Sequence, residues 1–280
     1  MKKQKVWFIT GASKGLGLDI AKAALASGDK VVATVRSKPE RLAAILQPAA
    51  DVLVVTLDVT SEARVKEGVK EAIARFGRID VLVNNAGYGL LAATEEATDI
   101  ETRQQYDTNV FGLLNVTRAV LPYMRTQKSG HVINISSLFG YTASVPGFGL
   151  YGSTKFAVEG ISEGLALEVN AFGIHVTAVA PGIFRTEFVS TDSYQASGTV
   201  LGAYDETVGK VRQAVGQLHG NQPGDPAKLA QVVLRLANSE NPPLHLPIGK
   251  DAVAAFKIRA AKAGQEIAAW EEISSSTDHV

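Results

Sequence analysis

The segment Val6-Trp7-Phe8-Ile9-Thr10-Gly11-Ala12-Ser13-Lys14-Gly15-Leu16-Gly17 sets the tightest limit on how this chain folds. An uninterrupted apolar run reads as a strand buried on both faces, and the glycines behind it break the chain into a turn that leads straight into a helical pattern. Glycine admits positive φ and lets a phosphate approach the main chain without meeting a Cβ. The helix beyond presents unpaired N–H groups and the positive end of its dipole to that phosphate. The spacing is Gly-x-x-x-Gly-x-Gly rather than the Gly-x-Gly-x-x-Gly of the common dinucleotide fingerprint, so taken alone the turn fits a plain structural turn as well as a phosphate cradle.

The alternation continues down the chain. Lys30 to Val35, Asp51 to Leu57, Ile79 to Val83, His131 to Ile135 and His175 to Ala180 read as further strands, with Leu244 to Ile248 as a last one. Helical spacing separates them, with Thr60 as the expected N-cap of a helix ending at Phe76 and Asp225-Pro226 as a cap followed by an N1 proline. One long helix is expected from about Asp99 to Met124. Strands alternating with helices imply right-handed crossovers and a doubly wound α/β parallel sheet of about seven strands, covered on both faces. Ligands of such sheets sit at the carboxyl ends of the strands, which gathers the glycine turn, Arg36, Asp58 and Asn84-Asn85-Ala86-Gly87 along one edge.

With 280 residues, 46% of them hydrophobic, the chain can bury a large core as a single Rossmann-type domain over residues 1–280. Lys and Arg total 28 and so do Asp and Glu, and no long basic run occurs, which excludes the footprint of a nucleic-acid binder. The absence of cysteine excludes disulfides, zinc–thiolate sites and thiol nucleophiles, and the histidines show no metal-ligand spacing. No apolar run approaches membrane-spanning length, so the expectation is a soluble cytoplasmic protein without a membrane partner.

Tyr151 and Lys155 share a helix face. A free phenol has a pKa of about 10, too high for acid–base work near neutrality, and a nearby ammonium and the positive nicotinamide ring together lower it. Ser137, at a strand end, is placed to meet Tyr151 across the cleft, with Ser136 as a competitor. Asn109 is a poor choice for the middle of a helix, which points to a polar task such as holding a water or a distorted turn. The pentapeptide Gly160-Ile161-Ser162-Glu163-Gly164 has the form of a hydrolase nucleophile elbow. That motif needs a strand before the serine, and here the helix of Tyr151 runs through it. The small residues Ala157, Gly160 and Gly164 suit close packing against another helix.

Taken together, Thr10-Gly11-x-x-x-Gly15-x-Gly17, Asn84-Asn85-Ala86-Gly87, Asn109, Ser137, Tyr151-x-x-x-Lys155 and Pro181-Gly182-x-x-x-Thr186 resemble the classical short-chain dehydrogenase/reductase family over about Lys5 to Thr186. The resemblance implies that Tyr151 is the proton donor or acceptor, Ser137 orients the carbonyl, Lys155 holds the ribose and lowers the Tyr151 pKa, and Asn109 maintains a proton-relay water. It implies a cofactor site made of Gly11, Ser13, Lys14, Gly15, Leu16, Gly17, Arg36, Asp58, Val59, Asn85, Ala86, Gly87, Tyr151, Lys155, Pro181, Gly182, Ile183 and Thr186. In this reading Asp58 is adenine-side, Asn85 ribose-side and Thr186 carboxamide-side. Past Glu187 the chain looks more like the branch that includes steroid and retinol dehydrogenase-like reductases, with Pro242-Pro243 before its last strand and a long helix after it.

The activity expected is therefore NADPH-dependent reduction of a ketone or aldehyde, reversible to alcohol oxidation, with a non-catalytic dinucleotide sensor or scaffold as the alternative. A dehalogenase on this fold is disfavoured by the intact Gly11, Gly15 and Gly17. NAD-specific sites place an acid at the end of the second strand to hold the ribose 2′-hydroxyl. Here that place reads Thr34-Val35-Arg36-Ser37-Lys38, so NADP(H) is preferred and NAD(H) is possible, with Arg36 and Lys14 against the 2′-phosphate. Residues 188–222, above all Phe188 to Tyr204, are expected to be a substrate lid. A C-terminal amphipathic helix is expected over about 251–272, with Val253, Phe256, Ala260, Ala263, Ile267 and Trp270 on one side. A homodimer or homotetramer is expected from the family resemblance and the small-residue face of the Tyr151 helix.

Overall fold

The computed structural model describes residues 4–186, 194–218 and 220–278. In chain order the first half is β1 (Val6–Ile9), α1 (Gly15–Ala26), β2 (Lys30–Val35), α2 (Pro39–Ile45), β3 (Val52–Thr56), α3 (Glu62–Phe76), β4 (Val81–Asn84) and the short β5 (Gly89–Leu91). Then follow α4 (Asp99–Tyr106), α5 (Leu113–Gln127), β6 (Gly130–Ile135), α6 (Gly149–Val169) and β7 (Ile174–Pro181). The chain ends with β8 (Tyr194–Ala196), α7 (Lys210–Leu218), α8 (Pro226–Leu236), β9 (His245–Ile248) and α9 (Lys250–Ser275).

Seven strands form one sheet in the order β3-β2-β1-β4-β6-β7-β9, every neighbouring pair parallel. Because side chains alternate along a strand, Val6 and Phe8 point to one face and Trp7 and Ile9 to the other. Both faces are covered, so all four are buried. Trp7 and Ile9 join Ile20 and Ala24 of α1 and Leu229 and Val233 of α8. Phe8 packs with Val65 and Val69 of α3 and Val116 and Val120 of α5. Each such side chain contributes roughly 1.5–3 kcal/mol by leaving water. The strand order reverses between β1 and β4, and a doubly wound sheet opens its ligand cleft at that reversal.

A polar chain crosses the core between β4 and α6. Asn84 Nδ2 donates to Thr117 Oγ1 and to Asn134 Oδ1, both at 2.9 Å, and Asn134 Nδ2 donates to Ser162 Oγ at 2.8 Å. Ser162 lies well inside α6 and donates to the Val158 carbonyl, so its hydroxyl is a core hydrogen-bonding group. No strand precedes it, and the nucleophile-elbow pattern has no structural counterpart.

Several local expectations are corrected. Ser61, not Thr60, caps α3, accepting from Arg64 N, while Thr60 donates to Asp58 through its N–H and hydroxyl. The single long helix expected from Asp99 is interrupted by a π-helical turn over Asp107–Gly112, which separates α4 from α5. Within the described residues of one chain, a Cβ at Gly160 or Gly164 would meet no atom within 4 Å, so the helix packing expected at these positions is not made inside the chain. The C-terminal helix is present, but only its start is docked. Ala252 is buried and Phe256 stacks on Tyr141 with ring centroids 3.8 Å apart, whereas Ile267 and Trp270 are exposed. An apolar stripe in sequence fixes the helix period without supplying an element to cover it.

Of the expected lid, residues 188–193 and 219 lie outside the described residues, and the described part makes contacts with the segment around β5 and α4. β8 pairs in parallel with β5, and Glu101 accepts from Ser197 Oγ at 3.1 Å and from Gly198 N at 3.2 Å. The buried Glu96 accepts from Leu201 N at 3.0 Å and pairs with Arg212. No helix among the described residues is long and apolar enough to cross a membrane.

Asp29 holds the amino-terminal edge of the sheet, accepting from Trp7 Nε1 at 3.0 Å and from Lys5 N at 3.1 Å while 2% exposed. Asp29→Ala strands the buried indole N–H, which costs about 2 kcal/mol. Urea unfolding followed by circular dichroism is expected to show that loss of stability with an unchanged denaturant slope.

Candidate active site

The reversal of strand order opens into a cleft of about 800 Å³. Its floor is the turn after β1. Gly11 and Gly15 take φ of +65° and +58°, the left-handed region that side chains disfavour, and a Cβ on Gly11 would sit 3.0 Å from Ala86 Cα. The turn is braced from β4. Thr10 Oγ1 accepts from the N–H groups of Asn85 and Ala86, and Asn85 Nδ2 donates to the carbonyls of Thr10 and Gly11 at 2.9 and 3.0 Å.

Gly11, Ser13, Lys14, Gly15 and Leu16 line the cleft, as do Arg36 at the end of β2, Asp58 and Val59 beyond β3, and Asn85, Ala86 and Gly87 beyond β4. Pro181, Gly182, Ile183 and Thr186 border it beyond β7, and Ser137, Tyr151 and Lys155 stand at its inner end. Two expected residues sit behind the wall. Gly17 lies under the turn, where a Cβ would come 2.5 Å from Asn85 Nδ2 and 2.7 Å from the Gly11 carbonyl oxygen. Asn109 lies in the π turn, and its amide accepts from Tyr88 N and donates to the Tyr88 carbonyl and to Thr154 Oγ1. The mid-helix asparagine thus marks the distorted turn.

Tyr151 and Lys155 follow one another on α6, and the Lys155 ammonium lies 5.8 Å from the Tyr151 ring centroid while donating to the Ile135 carbonyl at 2.8 Å. Burial pushes the Tyr151 phenol up to about 12, against a hydrogen bond with Ser137 that pulls it down. Burial pushes Lys155 down to about 8, against the attraction of Glu159. The lowered phenol pKa expected from the sequence is therefore not a property of the protein alone, because desolvation of the phenolate outweighs its polar neighbours. The structure also separates the two serines. Ser137 is the partner of Tyr151 and accepts from Phe139 N at 3.2 Å, whereas Ser136 faces the Lys155 carbonyl.

The chain matches the short chain dehydrogenase family over residues 5–197. It is 42% identical over 276 residues to oxidoreductase BOA17 of Botryotinia fuckeliana, a match that covers 96% of this chain and 98% of that one. The chain belongs to the short-chain dehydrogenase family. Among solved structures, a short-chain dehydrogenase from Streptomyces avermitilis superposes with a TM-score of 0.90 at 43% identity, covering 99% of this chain and 100% of that chain. ElxO with NADP bound superposes with a TM-score of 0.74 at 30% identity, covering 90% of this chain and 100% of that chain. This dehydrogenase is accordingly an NAD(P)-dependent oxidoreductase.

Some residues that shape the site carry no readable sign in the sequence. Asp251, at the start of α9, accepts from Ile183 N at 2.7 Å and lies where a Gly182 side chain would be. An acidic residue in a first turn announces a helix, not which distant N–H it will reach. Leu138, Phe139, Phe148, Val211 and Val215 line the end of the cleft beyond Tyr151 and give it an apolar wall. In this dehydrogenase the contacts under Gly17 are testable. Gly17→Ala is expected to push the Asn85 brace aside and weaken dinucleotide binding by about tenfold or more in a fluorescence titration. Gly164→Ala, facing open space, is expected to leave binding unchanged.

Proposed function

We propose that this dehydrogenase reduces the carbonyl of an uncharged, apolar ketone or aldehyde with NADPH, Tyr151 giving the proton, and that the reverse reaction oxidises the alcohol. The observation that carries this reading is the buried Tyr151 hydroxyl, hydrogen-bonded to Ser137 and beside the Lys155 ammonium at the inner end of the cleft. The residues fit a dinucleotide: Gly11 and Gly15 place no Cβ at two positions of the turn that line the cleft, and α1 begins at Gly15. Bound NADPH supplies a hydride to the carbonyl carbon.

What the chain does is hold and move the proton. Burial keeps the Tyr151 phenol protonated at neutral pH, so the group waits as an acid. Ser137 Oγ steadies the substrate oxygen, and the O–H bond of Tyr151 breaks toward that oxygen as charge develops on it. The Lys155 ammonium stabilises the phenolate left behind, in a dry site where its field is weakly screened. Lys155 would also hold the ribose of the bound dinucleotide, and Asn109 acts from behind by fixing the backbone of Tyr88 and the hydroxyl of Thr154. Leu138, Phe139, Phe148, Val211 and Val215 favour an apolar substituent on the carbonyl.

Arg36 and Lys14 both line the cleft, and Asp58 accepts hydrogen bonds from its neighbour Thr60, which supports a 2′-phosphate and a preference for NADPH over NADH. That a solved relative carries NADP agrees with this preference. We place the protein in the cytoplasm as a homo-oligomer, and the exposed Phe111, Phe156 and Leu167 support the oligomer.

Tyr151→Phe is expected to bind NADPH as the wild type does and to lose about a hundredfold or more of kcat on a reducible carbonyl, read by NADPH absorbance. Retention of a tenth of wild-type turnover overturns the assignment. Arg36→Asp is expected to lower kcat/KM for NADPH by at least about tenfold relative to NADH. An unchanged ratio between the two cofactors removes the phosphate site.

A further inference from the structure

One helical turn beyond Lys155, α6 carries an ionisable group that the proton transfer does not use. Glu159 is 6% exposed. Its Oε2 lies 2.7 Å from His245 Nδ1 on β9, and the other ring nitrogen of His245 lies 3.2 Å from Glu163 Oε1. Its Oε1 is buried and meets no hydrogen-bond partner among the described residues. A buried carboxylate oxygen left without a donor is expensive and persists where another charge compensates it. Lys155 lies four residues back on the same helix face, and the Glu159 charge acts on it.

Lys155 is buried and donates to the Ile135 carbonyl, which accepts one of its protons without neutralising its charge. Burial disfavours its ammonium, and Glu159 is the charge that works in the opposite direction. The titratable groups facing this pair are Tyr151 and Glu163 on α6 and His245 on β9. From β6 the contacts are the Ile135 carbonyl and the Ser136 hydroxyl, neither of which carries charge.

We propose that Glu159 is a positioning residue for the reaction: its carboxylate is the counter-charge that keeps the buried Lys155 an ammonium, and His245 fixes the rotamer in which it does so. This rests on the acid–base reading of Tyr151 and Lys155 given above. Glu159 is not among the residues that line the cleft. It acts through Lys155, and its removal therefore shows as a displaced pH profile. Lys155 grips the cofactor and stabilises the phenolate only while protonated, so NADPH affinity and the rate of reduction both fall as pH rises through its titration. Losing the anion beneath it brings that fall to lower pH.

The experiment is a fluorescence titration of NADPH, with reduction rates alongside, from neutral to alkaline pH. Glu159→Gln is expected to move the alkaline limb of both down by about one pH unit. Glu159→Asp returns it toward the wild-type position, and Glu163→Gln, at the exposed end of the cluster, leaves it in place. His245→Lys pairs Glu159 with a permanent cation and moves the limb in the same direction by a smaller step, which keeps the test alive should Glu159→Gln not fold. A limb that stays where it is in both Glu159→Gln and His245→Lys overturns the proposal, as does an equal loss at every pH, which is the mark of a merely structural role. Wild-type protein that binds no NADPH at all overturns the functional reading and this inference with it. Binding with an undisplaced limb overturns this inference alone.

Discussion

The molecule depends on a brace between the ends of two adjacent strands. Asn85 donates through its backbone N–H to Thr10 Oγ1 and through its side-chain amide to the Thr10 and Gly11 carbonyls, and Ala86 N–H also donates to Thr10 Oγ1, so the turn after β1 and the loop after β4 are held as one unit. This is the place where the strand order reverses and the flanking loops part to opposite sides. Without the brace, a turn with two residues at positive φ would be an ordinary flexible loop. With it, the backbone N–H groups of the turn and of the α1 start are fixed before any ligand arrives, and the ordering entropy is already spent.

Around that brace the site is assembled from pieces far apart in sequence, each tied by a charged or charge-assisted contact. Asp251 reaches from the last helix to the backbone after β7. Glu96 joins the loop before α4 to Leu201 and Arg212, which ties the α7 wall of the cleft to the main sheet. Burial raises the Glu96 carboxyl, but hydrogen bonds from Leu201, Ala93 and Arg212 outweigh burial and hold it below the ordinary range. As a group with a depressed pKa, it contributes stability above its unfolded value, and that contribution disappears as pH falls through its folded value.

The same low dielectric governs the chemistry. It keeps the Tyr151 phenol protonated and makes the Lys155 ammonium costly, and both effects come from excluding water around α6. For the proposed reaction, a site of this kind holds its proton ready in the resting state. The role proposed for Lys155 requires that its charge be kept, and the Glu159 carboxylate one turn along the helix works in that direction.

The sequence by itself determined the strand–helix alternation, the parallel sheet, the glycine turn and the Tyr151–Lys155 face, because period and spacing are local properties of a chain. Asn109 signalled a distortion through its poor helix propensity, and the π turn is that distortion. Tertiary structure alone decided between Ser136 and Ser137, since adjacent residues at a strand end differ only in which way each points. It also decided that Gly17 supports the turn from beneath, that Ser162 belongs to the core, and that the stripe of α9 is left bare past Phe256. Asp251, Glu96 and Glu159 stayed silent in the sequence for one reason. A carboxylate's partner is set by which distant N–H or ammonium the fold carries to it, and its cost or benefit by the water that the fold removes.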